Sequence, residues 1–166
     1  MPSKQRRYSL KSKDAKQIIN EASQRLKLDL DVLFGSKVNI EVVESETGQI
    51  YLVNGKPVMF KSDVLLPLLG FTEFVNAAPK ITVDMGAVPY VCKGANVMAP
   101  GIRRVEGEFG QGDLLVVVDE KHGKALALGE SMLDAATLRE TKKGPVIKTL
   151  HYVSDKYWNA AKLISE

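Results

Sequence analysis

Two stretches in the first third of the chain alternate between apolar and polar residues, a pattern typical of half-buried β-strands. Apolar residues recur at every second position over 38–43, and a second apolar run covers 49–53. Asn54-Gly55 separates that run from a third one at 57–60, and Asn-Gly between apolar runs strongly favours a β-hairpin. The pattern therefore predicts a three-stranded antiparallel sheet.

A different spacing precedes the sheet, because apolar residues over 9–30 recur every three or four positions. This spacing predicts an amphipathic helix. After the hairpin, the apolar run 64–69 is interpreted as a short helix or turn, and 70–79 as a connector between domains. We therefore predict an α+β domain over residues 1–76.

Short strand candidates separated by glycines fill the rest of the chain, residues 77–166. They are 81–83, 97–98, 114–118, 124–132 and 146–153. This spacing is typical of a compact barrel or sandwich. A short helix is predicted over 87–93, and Ser154 is predicted to begin a last helix that packs Trp158 against the body of this domain.

The composition is that of a globular protein with one ordinary domain or two small ones: 166 residues, 45% of them hydrophobic and 26% charged. No apolar run approaches the ~18 residues that span a bilayer, and the basic N-terminus lacks the apolar stretch of a secretory signal. The single cysteine, Cys92, cannot form an internal disulfide, which agrees with a reducing compartment. We therefore expect a cytoplasmic protein.

Positive charge is concentrated in residues 1–27, which contain two acidic and eight basic residues. The segment carries a formal charge of +6, whereas the rest of the chain carries −3. Such a segment attracts polyanions such as RNA, or it is a solvated helix face with a frayed end, and both interpretations stay open. The basic residues are Lys4, Arg6, Arg7, Lys11, Lys13, Lys16, Arg25 and Lys27.

Groups that could carry out catalysis are scarce. His122 and His151 lie far apart in sequence, and with Cys92 they show neither metal-ligand spacing nor a cysteine–histidine nucleophile pair. No Walker, Gly-x-Gly-x-x-Gly or Gly-x-Ser-x-Gly motif occurs in the sequence. Asp84, two residues before Gly86, is expected to bond backbone N–H groups of a strand-to-helix turn. We therefore predict a protein that is not an enzyme and has no metal or other cofactor.

The most distinctive motifs lie between Lys80 and Ile102. They are Asp-x-Gly-Ala at 84–87, Gly-Ala-Asn-x-Met at 94–98 and Pro-Gly-Ile at 100–102. Together they resemble the opening of a PUA domain, an RNA-binding module named for pseudouridine synthases and archaeosine transglycosylases. The resemblance implies that residues 77–166 form a PUA pseudo-β-barrel with short helices.

Nearly the whole chain is similar to one subgroup, the archaeal proteins related to the eukaryotic malignant T-cell-amplified sequence family. The hairpin at 53–60 and the ending at 151–158 carry this similarity. It implies that residues 1–76 are a pre-PUA domain, a helix with a small antiparallel sheet, so that the whole chain is α+β. The eukaryotic relatives act in translation initiation, reinitiation and recycling with a partner, the density-regulated protein.

The resemblance also implies a set of RNA-contacting residues on the helix, glycine loop and last strand of the PUA domain. Phosphates are expected to approach backbone N–H groups of the glycine loop, where side chains are small or absent. Two arginines after the Pro-Gly turn either contact RNA or are an ordinary exposed pair, and Tyr90 or Tyr152 either stacks on a base or packs in the core. The predicted set is Lys93, Gly94, Ala95, Asn96, Arg103, Arg104, Lys148 and Tyr152.

The resemblance implies an RNA-binding protein that associates with ribosomes or tRNA in translation initiation or recycling. The implied partners are structured rRNA or tRNA, the small ribosomal subunit and a translation factor, with no membrane. One alternative is a targeting subunit that recruits an RNA-modifying enzyme to tRNA or rRNA. Another is a protein-interaction module whose pre-PUA domain binds a translation factor while RNA binding is incidental.

Overall fold

The computed structural model describes residues 5–165, which contain six α-helices, one 3₁₀ helix and eleven strands. The described residues up to Phe74 form one compact unit together with those from Lys156 onward, and Val75–Asp155 form a second unit. Helices combined with mainly antiparallel sheets confirm the predicted α+β class. Within residues 5–165, no helix is long and apolar enough to cross a membrane.

The sheet of the first unit has five antiparallel strands in the order β1-β2-β3-β4-β5. The three predicted strands are its centre. The interpretation of 64–69 as a helix or turn was wrong, because β5 pairs with β4 and places Leu66 opposite Phe60. Pro67 is the last residue of this edge strand. Proline has no backbone N–H, and at this position the sheet loses no hydrogen bond between strands. The strands are β1 Arg6–Ser9, β2 Ile40–Ser45, β3 Gly48–Val53, β4 Lys56–Lys61 and β5 Leu65–Pro67.

The single helix predicted before this sheet is divided in two and follows a strand. Helix α1 covers Ser12–Leu26 and α2 covers Leu30–Phe34. Lys27 ends α1 with a left-handed backbone, at φ 55°. Asp29 then caps α2 by accepting a hydrogen bond from the Val32 N–H at 3.2 Å. The helical spacing of apolar residues was predicted correctly. Lys27 and Asp29 nevertheless interrupt the helix, and the spacing alone does not reveal this break.

Two arginines of the basic N-terminal segment lie on β1 and pair with glutamates of β2. Arg7 donates to the Glu41 carboxylate at 2.8 and 3.1 Å, and this bond lowers the pKa of Glu41. Arg6 lies 3.7 Å from the carboxylate of Glu44. Lys4, also counted in the basic segment, lies outside the described residues. The charge of this segment is therefore partly balanced by the neighbouring strand β2.

The last helix, α6, covers Lys156–Ser165 and groups with the first unit. The predicted division assigned it to 77–166, so the structure differs from the prediction at this point. The reason is Tyr157, whose buried ring stacks on Phe60 with the ring centroids 4.1 Å apart. Trp158, the predicted anchor of this helix, is only half-buried. The chain therefore returns to its first unit at the end.

The sheet of the second unit has six strands in the order β7-β11-β10-β9-β6-β8, with only β6 and β9 parallel among these pairs. A 3₁₀ helix, Ala99–Gly101, joins the edge strands β7 and β8. Four Cα steps reach about 15 Å, whereas a flat six-stranded sheet is about 24 Å wide, so the sheet must curl. The strands are β6 Lys80–Val83, β7 Val97–Met98, β8 Ile102–Glu106, β9 Leu114–Asp119, β10 Ala125–Ser131 and β11 Pro145–Tyr152.

Three short helices complete the middle of the chain. Helix α3, Thr72–Ala77, occupies most of the segment that was interpreted as a connector, so that interpretation was wrong in detail. Helix α4 covers Val88–Val91 and α5 covers Ala135–Glu140. The role predicted for Asp84 is confirmed, because its carboxylate accepts a hydrogen bond from the Ala87 N–H at 2.8 Å. This bond fixes the turn that leads from β6 into α4.

Candidate nucleic-acid interface

A groove of about 340 Å³ lies on the second unit where α4, β7 and the start of β11 meet. Its lining is mainly apolar, yet Tyr90 is 68% exposed and Met98 is 49% exposed. Exposed apolar side chains that cluster in a concave surface indicate a binding site. The other lining residues include Ala87, Ala95, Asn96 and Pro145.

The loop beside the groove ends α4 in a Schellman motif. The Gly94 N–H donates to the Val91 carbonyl and the Ala95 N–H donates to the Tyr90 carbonyl, both at 3.0 Å. Gly94 has a φ of 90°, the left-handed conformation that the motif needs and that glycine adopts at least cost. The N–H groups of Gly94 and Ala95, which were expected to bind phosphates, therefore already donate hydrogen bonds to carbonyls of α4. That mode of contact was wrong, and contact between this loop and RNA stays a prediction.

The Tyr152 ring fills the space beside Gly94. A Cβ atom on Gly94 would lie 2.9 Å from Cε1 of Tyr152, so the missing side chain accommodates this ring. Tyr152 is half-buried and also packs against the core of the second unit. Of the two tyrosines considered for base stacking, Tyr90 is therefore the one whose ring is open to a ligand.

Asn96 and Thr149 hold the same loop against β11. The Thr149 N–H donates to Oδ1 of Asn96 at 3.1 Å, and the Thr149 hydroxyl donates to the Ala95 carbonyl at 2.8 Å. The loop and the strand are thus linked by both backbone and side chain. The structure therefore brings the loop at 93–96 next to β11, the strand that contains Lys148 and Tyr152, and contact of these residues with RNA stays a prediction.

We expect Gly94→Ala to lower the stability of the second unit by about 2–3 kcal/mol, through a strained φ and contact with Tyr152. Gly112→Ala is the matched control. Gly112 has nearly the same φ, 87°, but nothing lies within 4 Å of the added Cβ, so we expect a loss of about 1–2 kcal/mol from backbone strain alone. Denaturant unfolding measures both. Equal losses would show that Tyr152 does not constrain Gly94.

Arg103 and Arg104 lie on β8, do not line the groove, and are both paired with carboxylates. Arg103 lies 3.5 Å from Asp84 and 3.5 Å from Glu120, and Arg104 lies 2.8 Å from Glu106. These pairs are exposed and individually weak, but a phosphate would have to compete with them and approach their negative charge. Both arginines are therefore less available to RNA than the sequence predicted.

The two predicted lysines are free of such pairs. Lys93 follows α4 and Lys148 lies on β11, and both are exposed. In the described part of the chain, neither side chain takes part in a hydrogen bond or an ion pair. Neither charge is held in an ion pair within residues 5–165, and Lys148 lies opposite Glu130 in the pairing of β10 with β11, so Lys93 is the more available of the two.

Reactive groups near the groove are few. Burial raises the pKa of the Cys92 thiol, which keeps it protonated near neutral pH and poorly nucleophilic. Among the side chains of residues 5–165, no group of three or more His, Cys, Asp or Glu is arranged to hold a metal ion. The arrangement suits binding by stacking and charge.

Sequence reasoning missed Met98 and Pro145 as parts of this region. They face each other in the pairing of β7 with β11, and both line the groove. The pairing joins strands that are distant in sequence, so no local pattern indicates it. Only the exposure of Met98 could have been expected from the local sequence. Successive residues of a strand point to opposite faces, so a buried Val97 implies an exposed Met98.

Comparison with known proteins matches both parts of the chain. The PUA domain model matches residues 79–153, and the model of a domain of unknown function, DUF1947, matches residues 6–72. An uncharacterised protein of Methanocaldococcus jannaschii is 35% identical over 93% of this chain and 96% of its own length. Translation machinery-associated protein 20 of Saccharomyces cerevisiae is 33% identical over 78% of this chain and 77% of its own.

A solved structure agrees over the full length. The crystal structure of a hypothetical protein from Pyrococcus horikoshii has a TM-score of 0.77 and 31% identity, over 94% of this chain and 99% of its own. The mouse protein malignant T-cell-amplified sequence 2 is 28% identical over 78% of this chain and 76% of its own. The resemblance drawn from the motifs between 84 and 102 is therefore confirmed.

Proposed function

We propose that this chain, which belongs to the PUA-domain protein family that includes translation machinery-associated protein 20, is a cytoplasmic RNA-binding protein of translation initiation or recycling. Its ligand is structured rRNA or tRNA, and it acts with the small ribosomal subunit and a translation factor. The observation that carries the proposal is the exposed pair Tyr90 and Met98 in an apolar groove of the PUA unit.

The groove offers the chemistry that unpaired RNA bases need. An exposed tyrosine ring stacks on one face of an RNA base regardless of base identity. A flexible methionine side chain can pack against the other face of the same base. Lys93 and Lys148 supply charge for phosphates near the same region. In this proposal Gly94, Ala95, Asn96 and Tyr152 mainly hold the loop in shape, whereas Arg103 and Arg104 make secondary contacts.

The hydrogen bonds around the loop support this division of roles. The Schellman motif and the bonds to Thr149 fix Tyr90 relative to β11 before any ligand arrives. A binding surface that is already ordered loses less conformational entropy on association. Rigid placement of one exposed ring favours recognition of RNA by shape and stacking.

Ultraviolet cross-linking in cells, followed by sequencing of the attached RNA, tests the proposal. We expect enrichment of small-subunit rRNA or tRNA, together with sedimentation of the protein with small ribosomal subunits that is lost at high salt. Co-purification with an RNA-modifying enzyme and no ribosome signal would favour a targeting subunit. Binding to a translation factor by a protein with no RNA affinity would favour an interaction module, and both results would contradict the proposal.

We expect Tyr90→Ala to weaken binding of a tRNA transcript by about 5- to 150-fold, because stacking on one base contributes about 1–3 kcal/mol. The fold should be unaffected, since the side chain is 68% exposed. Tyr90→Phe should retain the affinity. Met85→Ala is the control, because Met85 is 41% exposed but lies outside the groove. Equal affinity of Tyr90→Ala and the unmodified protein would remove the groove from the site.

A further inference from the structure

Two adjacent lysines form an uncompensated charge beside the groove. Lys142 and Lys143 lie in the turn between α5 and β11, and both side chains are exposed. Over the described range 5–165, neither side chain makes a hydrogen bond or an ion pair. Their two charges are therefore available to an anion at no cost in existing contacts.

Backbone hydrogen bonds fix this turn at the groove. The Gly144 carbonyl accepts a hydrogen bond from the Ala99 N–H at 2.9 Å, and Pro145 pairs with Met98. Pro145 and Met98 both line the groove. Because consecutive Cα atoms are ~3.8 Å apart, the Cα atom of Lys143 lies within about 8 Å of that of Pro145. A lysine side chain at this position is long enough to reach the rim of the groove when it extends toward Pro145.

The arginines after the Pro-Gly turn are placed differently. Carboxylates of Asp84, Glu120 and Glu106 already surround them, and those carboxylates would repel a phosphate. The free lysines thus lie in the turn before β11, whereas the paired arginines lie on β8. Lys142 and Lys143 thus place unpaired positive charge next to a groove that also holds the exposed ring of Tyr90.

We propose that Lys142 and Lys143 hold the phosphate backbone of RNA while a base of the same RNA stacks on Tyr90. The inference rests on the proposed function, which it deepens by naming two residues that contribute to the salt-dependent affinity of the PUA unit. Proteins usually bind unpaired RNA with positive side chains placed along the phosphate backbone and with aromatic side chains on which the bases stack. Arg103 and Arg104 contribute less to the salt dependence.

The test measures binding of the full chain to a tRNA transcript over a series of potassium chloride concentrations. We expect Lys142→Ala with Lys143→Ala to reduce the slope of log affinity against log salt by about 2, one for each lost phosphate contact. The affinity at the lowest salt should fall about tenfold or more. Lys142→Arg with Lys143→Arg should retain the slope, because both charges remain.

The control variant is Lys121→Ala with Lys124→Ala, which removes the same charge from the turn between β9 and β10. That turn joins Asp119 of β9 to Ala125 of β10, and neither of its two lysines lines the groove. We expect this control to change the slope by less than about 0.5, in contrast to one unit per phosphate contact.

The outcomes separate the two proposals. An unmodified protein that does not bind RNA would overturn both the proposed function and this inference. An unmodified protein that binds, with an unchanged slope for the Lys142 and Lys143 variant, would overturn this inference alone. Equal loss in the control would also overturn it, since net charge and not position would then set the affinity. Circular dichroism melting confirms that each variant is folded.

Discussion

Gly129→Ala is expected to destabilise the second unit by about 3 kcal/mol, although it adds a single methyl group. Gly129 lies in β10, where its pairing with β11 shifts register next to Leu128. A Cβ atom on Gly129 would overlap Cγ2 of Ile147 and would lie 3.3 Å from Cδ1 of Leu115. Ile147 is fully buried and β-branched, so it cannot rotate out of the way. The strand must therefore move, and it forms one side of the core.

Denaturant unfolding followed by far-ultraviolet circular dichroism measures this loss. Gly110→Ala is the matched control, because its nearest neighbour would lie 3.6 Å from the added Cβ, and we expect a change within about 0.5 kcal/mol. In a chain that already carries Ile147→Ala, the extra methyl at Gly129 should cost less than about 1 kcal/mol, since the obstructing atom is gone. Additive losses would contradict the proposed contact with Ile147.

Features of the fold that depend on neighbouring residues were predictable from the sequence. The Asn54-Gly55 hairpin and the Asp84 turn are set by residues a few positions apart, and both occur as expected. The edge strands β1 and β5 were missed, because an edge strand is defined by its partner and not by its own periodicity. Helix α6 was assigned to the wrong unit for the same reason, since its anchor, Tyr157, packs on a strand from the first half of the chain.

The candidate site shows the same limit at the level of side chains. Family motifs predict that the loop at 94–96 contacts RNA, but they do not show that the missing side chain of Gly94 makes room for Tyr152, which lies on a strand distant in sequence. The arginine pair looked available because Asp84 and Glu120 are remote in sequence from Arg103. Sequence patterns thus predict a region of the chain, whereas the pairing of each charge depends on contacts that only the folded chain creates.

Tyr157→Ala is expected to lower the stability of the first unit by about 3–5 kcal/mol, the usual cost of truncating a large aromatic side chain in a core. Tyr157 is 7% exposed and stacks on Phe60, which is 1% exposed. The adjacent Trp158 is the only tryptophan in the chain, so its fluorescence reports unfolding of α6 directly. We expect the fluorescence transition to move to lower denaturant concentration.

The control for this prediction lies on the same helix. Leu163 is 70% exposed, and Leu163→Ala should change stability by no more than about 0.5 kcal/mol. Phe60→Ala should also be strongly destabilising, but its effect should add incompletely to that of Tyr157→Ala, because each removes the same ring contact. An unchanged fluorescence transition in Tyr157→Ala would show that α6 is not anchored on β4. If the transition moves as expected, truncation after Asp155 should expose the Phe60 ring and destabilise the first unit, even though that truncation removes no residue of the PUA unit.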